Sequence, residues 1–569
     1  MTFWNLYFIL KLYLFATGHL KPLWLANIGL LAALALTNPV RHRGVRALRF
    51  LVGLGIGIPF LYYEAIVPPF SRVIEEFSGL ESFTASYWWE LAQRFLPPVL
   101  VIGVIAVIVG HWLVNRWLRV ATFIAIALVV LPVWNEASVV VTAAQSIAAG
   151  GARNAAVVEQ PLDHNAALAA FRTSESQRQV TFGKLSSDPG QQFDIIILHI
   201  CSLSWDDLDF VKARDNPMLS HFDYLLTNFS TAASYSGPAA IRVLRASCGQ
   251  EAHADLYKNA PQQCYLLRDL ARAGFAPQVL MNHDGHFDNF LELVKENAGV
   301  PDVPIESNAN AVVSMHAFDN SVIHDDYSVW SNWYAQRAQT PGPVALYYNT
   351  ISLHDGNRMV GKENLTSIAS YPYRVNTLMN EVDQLSDLIA KSGRRAVIVF
   401  VPEHGAALRG DANQVAGLRE IPTPRIVHGP VGVRIVGLPG AHGPTTVIDG
   451  PTSFLALAQL LSNLVSNSPF KPGVVLSQYA AGLPQTQMVG ENEGTVTMKT
   501  ATGYAVKTPD GVWVDQKLRR TKRTAGDGPS TISAASRARC PKSIRAATST
   551  SRRVLPMRRR SSNGQCWRG

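Results

Sequence analysis

The sequence predicts an α/β protein in two parts. An N-terminal helical transmembrane region of about five spans precedes an outer domain with a mostly parallel central sheet covered by helices. Three observations carry this. Long apolar runs recur through the first 135 residues and then stop. From Phe193 onward, short β-branched runs alternate with helical patterns. One such run, Ala-Val-Ile-Val-Phe-Val-Pro-Glu-His-Gly over 396–405, ends abruptly in two polar side chains. A buried parallel strand delivers polar residues in this way to the sheet edge where open α/β folds place their chemistry.

The spans are expected at roughly 3–19, 22–38, 48–67, 96–114 and 118–135, since about 20 apolar residues cross a bilayer. Lys11 interrupts the first, and only a short polar turn separates it from the second. No small-residue cleavage site follows a single short apolar run, which argues against a removed signal peptide. Arg41, Arg43, Arg46 and Arg49 crowd one loop, and Arg116 and Arg119 another; positive loops stay in the cytoplasm. The loop 68–95 carries Glu75, Glu76, Glu81 and Glu90 and fits the opposite side, with Trp88, Trp89 and Phe95 suited to the interface. The N-terminus is then inside and everything after residue 136 outside. In a bacterium this is a multi-pass inner-membrane protein with a periplasmic domain.

Residues 136–190 are Ala-rich, then polar, and read as a helical connector and linker. The outer domain is expected over 191–515. Its strands are Phe193–Cys201, Gln278–Met281, Val344–Asn349, Ala396–Val401 and an edge strand Val431–Val436. Ala240–Ala246 reads as a helix, as does Thr452–Leu464 with Thr452 or Ser453 as its cap. Residues 516–569 form a basic tail. From Lys517 it holds 15 Lys or Arg and one acid, so the first 516 residues sum to −5 although the chain totals +9. A polar, aperiodic Arg/Ser-rich segment is expected to be disordered. It reads as an inert or out-of-frame tail, or as a nonspecific binder of anionic lipid or nucleic acid. Specific nucleic-acid binding is not expected.

Five cysteines are present. Cys248 and Cys264 enclose a short polar segment, and an oxidising compartment favours a disulfide between them. Cys201 is left over, so it should be buried or bound to a metal.

Cys201 ends the first strand as Glu403 ends the later one, so both belong on one edge of a parallel sheet. Thiolate, carboxylate and the imidazole of His404 make three zinc ligands. The alternative for Glu403-His404 is an ordinary polar strand end. In Ala-Ser-Tyr-Ser-Gly-Pro-Ala-Ala, Ser236 precedes Gly237, Pro238 and a helical run. A helix start offers free amides and a positive dipole to an anion, and a zinc-bound hydroxyl there would be a nucleophile for phosphorus. A capping serine in a turn is the alternative.

Cys201, Ser-Tyr-Ser-Gly-Pro-Ala around Ser236, and Pro-Glu-His-Gly around Glu403 and His404 resemble the zinc site of alkaline-phosphatase-superfamily phosphoethanolamine transferases. The usual acidic ligand, threonine nucleophile and Asp-His pair become cysteine, serine and Glu-His. That departure is similar to the BcsG branch, the transferases that decorate bacterial cellulose. Trp4-Asn5-Leu6-Tyr7-Phe8, Cys201-Ser202-Leu203-Ser204-Trp205, Arg245-Ala246-Ser247-Cys248-Gly249-Gln250 and Leu353-His354-Asp355-Gly356-Asn357 resemble it too. The likeness covers about residues 1–515.

The resemblance implies an alkaline-phosphatase-like domain and a zinc-dependent transferase. Ser236 attacks phosphatidylethanolamine, diacylglycerol leaves, and a glucosyl 6-hydroxyl of cellulose takes the phosphoethanolamine from the serine. Cellulose synthase subunits are the expected partners. His354, in a polar loop, could exchange protons in both steps or be a surface histidine. Tyr235 could position the phosphate or simply pack. Arg419 could clamp a phosphate or pair with Glu420 or Asp411. His283-Asp284-Gly285-His286 reads as structure or substrate contact ahead of a second metal, and His428 and His442 take no assignment. Rival readings keep the donor but use lipid A or another glycan, or make the chain a non-catalytic scaffold. A generic phosphatase or sulfatase is a lesser rival, and Cys-Ser-Leu-Ser-Trp does not provide the Cys-x-Pro-x-Arg type motif from which such sulfatases form a formylglycine.

Overall fold

The computed structural model describes residues 2–16, 20, 22–37, 42–64, 82–96, 98–132, 163–411, 414–438 and 442–517. What the sequence leads one to expect of 65–81, 133–162 and the basic tail lies outside these residues. The described residues fall in one compact unit, Met1–Leu518.

Five apolar helices stand at the expected spans: Thr2–Ala16, Trp24–Leu36, Arg43–Glu64, Pro98–Val114 and Val120–Pro132. One of them, Arg43–Glu64 with 22 residues, is long and apolar enough to cross a membrane, and the other four are shorter. Trp4 and Phe8 of the first pack with Leu30, Leu31 and Leu34 of the second and Ile124 and Leu128 of the last. A further helix, Ala85–Phe95, follows Thr84, whose hydroxyl accepts from the Tyr87 amide as an N-cap.

The large domain is built on a seven-stranded sheet. Its strands are β1 (Asp194–Ile200), β2 (Tyr224–Ser230), β3 (Ala276–Met281), β6 (Val344–Thr350), β8 (Ala396–Pro402), β9 (His428–Val436) and β10 (Thr446–Ile448), in the order β10-β2-β9-β8-β1-β6-β3. Every residue of β1 and β8 is buried, as central strands covered on both faces require. Successive side chains alternate between faces. Ile195 and Ile197 join a core with Ala240, Val243, Leu270, Val294 and Leu461. Ile196, Leu198 and Ile200 join the opposite core with Trp330, Val375, Leu378 and Leu385. A three-stranded sheet, β4 (Val313–His316), β5 (Val322–His324) and β7 (Arg358–Met359), and a four-stranded antiparallel sheet, β11 (Val489–Asn492), β12 (Thr495–Lys499), β13 (Gly503–Lys507) and β14 (Trp513–Lys517), complete it.

The sheet is mixed. β8, β1, β6 and β3 are parallel neighbours. β9, expected at the edge, runs antiparallel between β2 and β8. Periodicity reports burial but not the direction of a neighbour, so an interior antiparallel strand reads like any other apolar run. β2 escapes notice because Thr227 and Asn228 interrupt its apolar pattern. The helix expected over Ala240–Ala246 begins at Ser236 and ends at Leu244, with Gly237 and Pro238 in its first turn, where proline is tolerated. Ser453 precedes the helix Phe454–Ser466, but its hydroxyl bonds Thr486 instead of capping.

Candidate metal and transfer site

Parallel strands β1, β6 and β8 end on one edge, and the polar residues that follow them meet there. Cys201 follows β1, and Glu403 and His404 follow β8. Glu403 N–H donates to the Ile200 carbonyl, and Leu203 N–H to that of His404, which ties the two strand ends together. Asp207, buried behind them, accepts from the amides of Ser204 at 3.0 Å, Ala406 at 2.7 Å and Leu408 at 3.3 Å. Gly405 is required here, since a Cβ would lie 2.7 Å from the Ser204 Oγ.

Cys201, Glu403 and His404 offer ligand atoms that all lie within 4.8 Å of one another, and all three are buried. Ser236 Oγ, in the first turn of the helix Ser236–Leu244, lies 3.4 Å from Cys201 Sγ. Glu403 Oε2 and His404 Nε2 are buried without a hydrogen-bond partner, which is costly unless a cation supplies the partner. His404 Nδ1 is 2.9 Å from the Gly405 carbonyl and donates to it, leaving Nε2 as the lone-pair nitrogen. A set of S, O and N donors with a hydroxyl as fourth fits tetrahedral zinc.

The groups around the cluster position it. Asn349, at the end of β6, donates to Glu403 Oε1 at 2.5 Å. Its own carbonyl oxygen lies 2.9 Å from His283 Nε2. The Gly285 amide donates to His283 Nδ1 at 3.1 Å, so Nε2 carries the proton and sets the Asn349 amide. His199 lies behind Glu403, its Nδ1 2.9 Å from the Tyr347 hydroxyl. Burial pulls His199 down to about 3, so it is neutral. Burial also raises the Cys201 thiol, with the Glu403 charge adding to it. It likewise raises the Glu403 carboxyl, against the pull of the neighbouring donors on Ser236, Asn349 and Cys201. Burial pulls His404 well below the usual imidazole range, and Arg419 deepens the shift.

Arg419 is nearly buried; its Nη1 donates to Ser202 Oγ at 3.0 Å, and its guanidinium lies 5.4 Å from the centre of the Tyr235 ring. The Tyr235 hydroxyl donates to Glu420. His354 follows β6 in a loop, with Nδ1 donating to the Asp355 carbonyl at 2.7 Å. Burial and then the Arg419 charge bring His354 down to about 4. His286, unlike His283, is engaged elsewhere: it bonds Asp284 at 2.6 Å and Asp319 at 3.1 Å. His442 bonds Asp223 at 2.7 Å, away from the strand ends. Cys248 and Cys264 are joined by a disulfide, and Cys201 is the free cysteine among the described residues. The structural reading of His283 fits its bond to Asn349, while Asn349 and Asp207 carry no sequence motif; a polar residue at the end of a buried strand is the signal at Asn349.

The N- and C-terminal domains of the cellulose biosynthesis protein BcsG match residues 4–133 and 148–513. The cellulose biosynthesis protein BcsG of Escherichia coli strain K12 is 34% identical over 541 residues, covering 90% of this chain and 95% of that protein. Its Salmonella typhimurium counterpart is 32% identical over 539 residues, with the same coverage. Among solved structures, a Vibrio parahaemolyticus protein in the alkaline phosphatase superfamily aligns with a TM-score of 0.42 at 13% identity, over 62% of this chain and 88% of that one.

Proposed function

The chain belongs to the BcsG family, and from that premise we propose that it moves phosphoethanolamine from phosphatidylethanolamine to glucosyl 6-hydroxyls of cellulose. The observation that carries the reading is the buried trio Cys201, Glu403 and His404 with the Ser236 hydroxyl beside it. A zinc ion held by these four residues would lower the pKa of the serine hydroxyl and screen charge on the phosphate.

Ser236 Oγ, its proton released to solvent, attacks phosphorus, the P–O bond to diacylglycerol breaks, and His354, protonated once the phosphate is bound, donates its proton to the leaving oxygen. A phosphoethanolamine–serine ester remains. His354 then takes the proton of the glucosyl hydroxyl that attacks the same phosphorus, and Ser236 leaves. His354 is held neutral in the free protein, chiefly by burial and then by the Arg419 charge; an anionic phosphate beside Arg419 offsets the second of these and raises the proton affinity where the first step needs it. Arg419 and Tyr235 hold the phosphate, and the amides at the start of the helix from Ser236 meet its developing charge. Five spans hold the domain at the outer face of the inner membrane, where donor lipid is concentrated; five apolar helices and their Arg-rich loops support this. The cellulose synthase complex supplies the acceptor.

Incubating the full chain with a phosphatidylethanolamine analogue should add phosphoethanolamine to Ser236, seen by mass spectrometry, and a cello-oligosaccharide should discharge it. An adduct that survives Ser236→Ala would refute the nucleophile; a wild-type chain with no adduct would refute the transfer.

A further inference from the structure

The helix Ala85–Phe95 comes from the N-terminal region, yet its polar side is spent on the loop that carries His354. Arg94 grips Asp355 with both arms of its guanidinium, Nη1 to Oδ2 at 2.6 Å and Nη2 to Oδ1 at 2.8 Å. The Tyr87 hydroxyl donates to the same carboxylate at 3.1 Å. Glu90 pairs with Arg94, accepts from Arg358 Nη2 at 2.5 Å and accepts from the Ser367 amide at 3.1 Å. The side chains of Glu90, Arg94 and Asp355 are 5%, 10% and 13% exposed, so solvent screens these pairs little. Burial alone would raise the Asp355 carboxyl, but Arg94 overrides it and holds the group far below the usual range.

An apolar path reinforces the polar one. Phe83 and Tyr87 lie 5.1 and 5.9 Å from the Phe318 ring, and Phe318 lies 5.5 Å from the His354 ring. Gly356, with φ at +83°, leaves no room for a Cβ, which would come within 2.6 Å of Phe318 and 3.1 Å of Tyr87. Gly417, two residues before Arg419, lies as close to Arg94: a Cβ there would be 2.7 Å from its Nη1. Arg94 therefore touches both loops that deliver charge to the site.

We propose that Arg94, with Glu90 and Tyr87, is a positioning residue of the transferase, so that the N-terminal region completes the active site of the outer domain. The chain of cause is short. The Arg94 fork fixes Asp355, and the Asp355 carbonyl accepts from His354 Nδ1. That bond sets the tautomer and direction of the ring, and presents Nε2 for proton exchange. A displacement of about 1 Å at such a group costs on the order of 100-fold in rate.

The inference rests on the role given to His354 above, and the test separates the two. Full-length Arg94→Ala and Arg94→Lys proteins are compared with wild type in detergent, using the same lipid analogue. The expected result for Arg94→Ala is a kcat lower by about 10- to 100-fold, with KM within about twofold and zinc content and melting temperature retained. Arg94→Lys keeps one arm of the pair and should recover part of the loss. Hydrogen exchange at 353–358 should speed up in Arg94→Ala while 396–404 stays protected. An unchanged kcat in Arg94→Ala, or unchanged exchange at 353–358, overturns the proposal. If wild type forms no Ser236 adduct, the transfer reading falls, and the exchange measurement alone decides for or against the helix as the clamp on this loop.

Discussion

Glu403 and His404 show what a single position must satisfy. Each has one atom engaged by protein and one left bare: Asn349 binds Glu403 Oε1 and the Gly405 carbonyl binds His404 Nδ1, while Oε2 and Nε2 have no partner. The engaged atoms aim the bare ones, which is how a surrounding shell tunes ligands. Asn349→Ala should weaken zinc binding by about 10- to 100-fold, read by competition with a chelator. His283→Ala should act in the same direction but more weakly, because it releases the amide without removing it. Glu403 and His404 were legible because they interrupt an apolar run. The way they are supported was not: Asn349 and His283 are 66 positions apart and meet only because β3 and β6 are neighbours.

At the scale of elements, the strands that bear the site were readable and the pieces that hold them were not. β1 and β8 are continuous apolar runs, a pattern that survives without knowledge of neighbours. β9 has the same pattern but opposite direction, and β11 to β14 pair mainly with each other at the end of the domain. The segment between the helices Ser236–Leu244 and Leu266–Ala273 has little regular structure beyond single 3-10 turns, and the Cys248–Cys264 bridge closes it over a separation of 16 residues. Closing a loop of that size constrains the unfolded chain by about 3 kcal/mol. Cys264→Ser should lower the unfolding free energy by about that amount in a denaturant titration. Any zinc bound at the candidate cluster should be retained, because Cys201, Glu403 and His404 all lie outside this segment.

For the whole molecule, the proposed arrangement of the apolar helices as spans makes a claim about sides. Arg43, Arg46 and Arg49 precede or begin the longest apolar helix, and Arg116 and Arg119 lie between the last two. Reporter fusions at 45 and 117 should report the cytoplasm, and fusions at 163 the periplasm; the reverse pattern would invert the orientation. The proposed orientation would carry the helix Ala85–Phe95 to the outer face, on the side where an oxidising compartment favours the disulfide. Individual apolar segments were visible in the sequence, but the joint between the two halves was not. Arg94 and Asp355 are 261 positions apart, and an arginine in a loop and an aspartate beside a histidine each have many ordinary uses.

The bidentate grip of Arg94 on Asp355 bears on how inhibitors would be sought. A preparation cut at the linker presents the carboxylate of Asp355 to water and lets the strand-end loop choose its own shape. Compounds selected against such a fragment would be chosen for a loop that the intact chain does not offer. A molecule wedged between Tyr87 and Gly356 would act only on the intact chain, and no screen on the severed domain would find it.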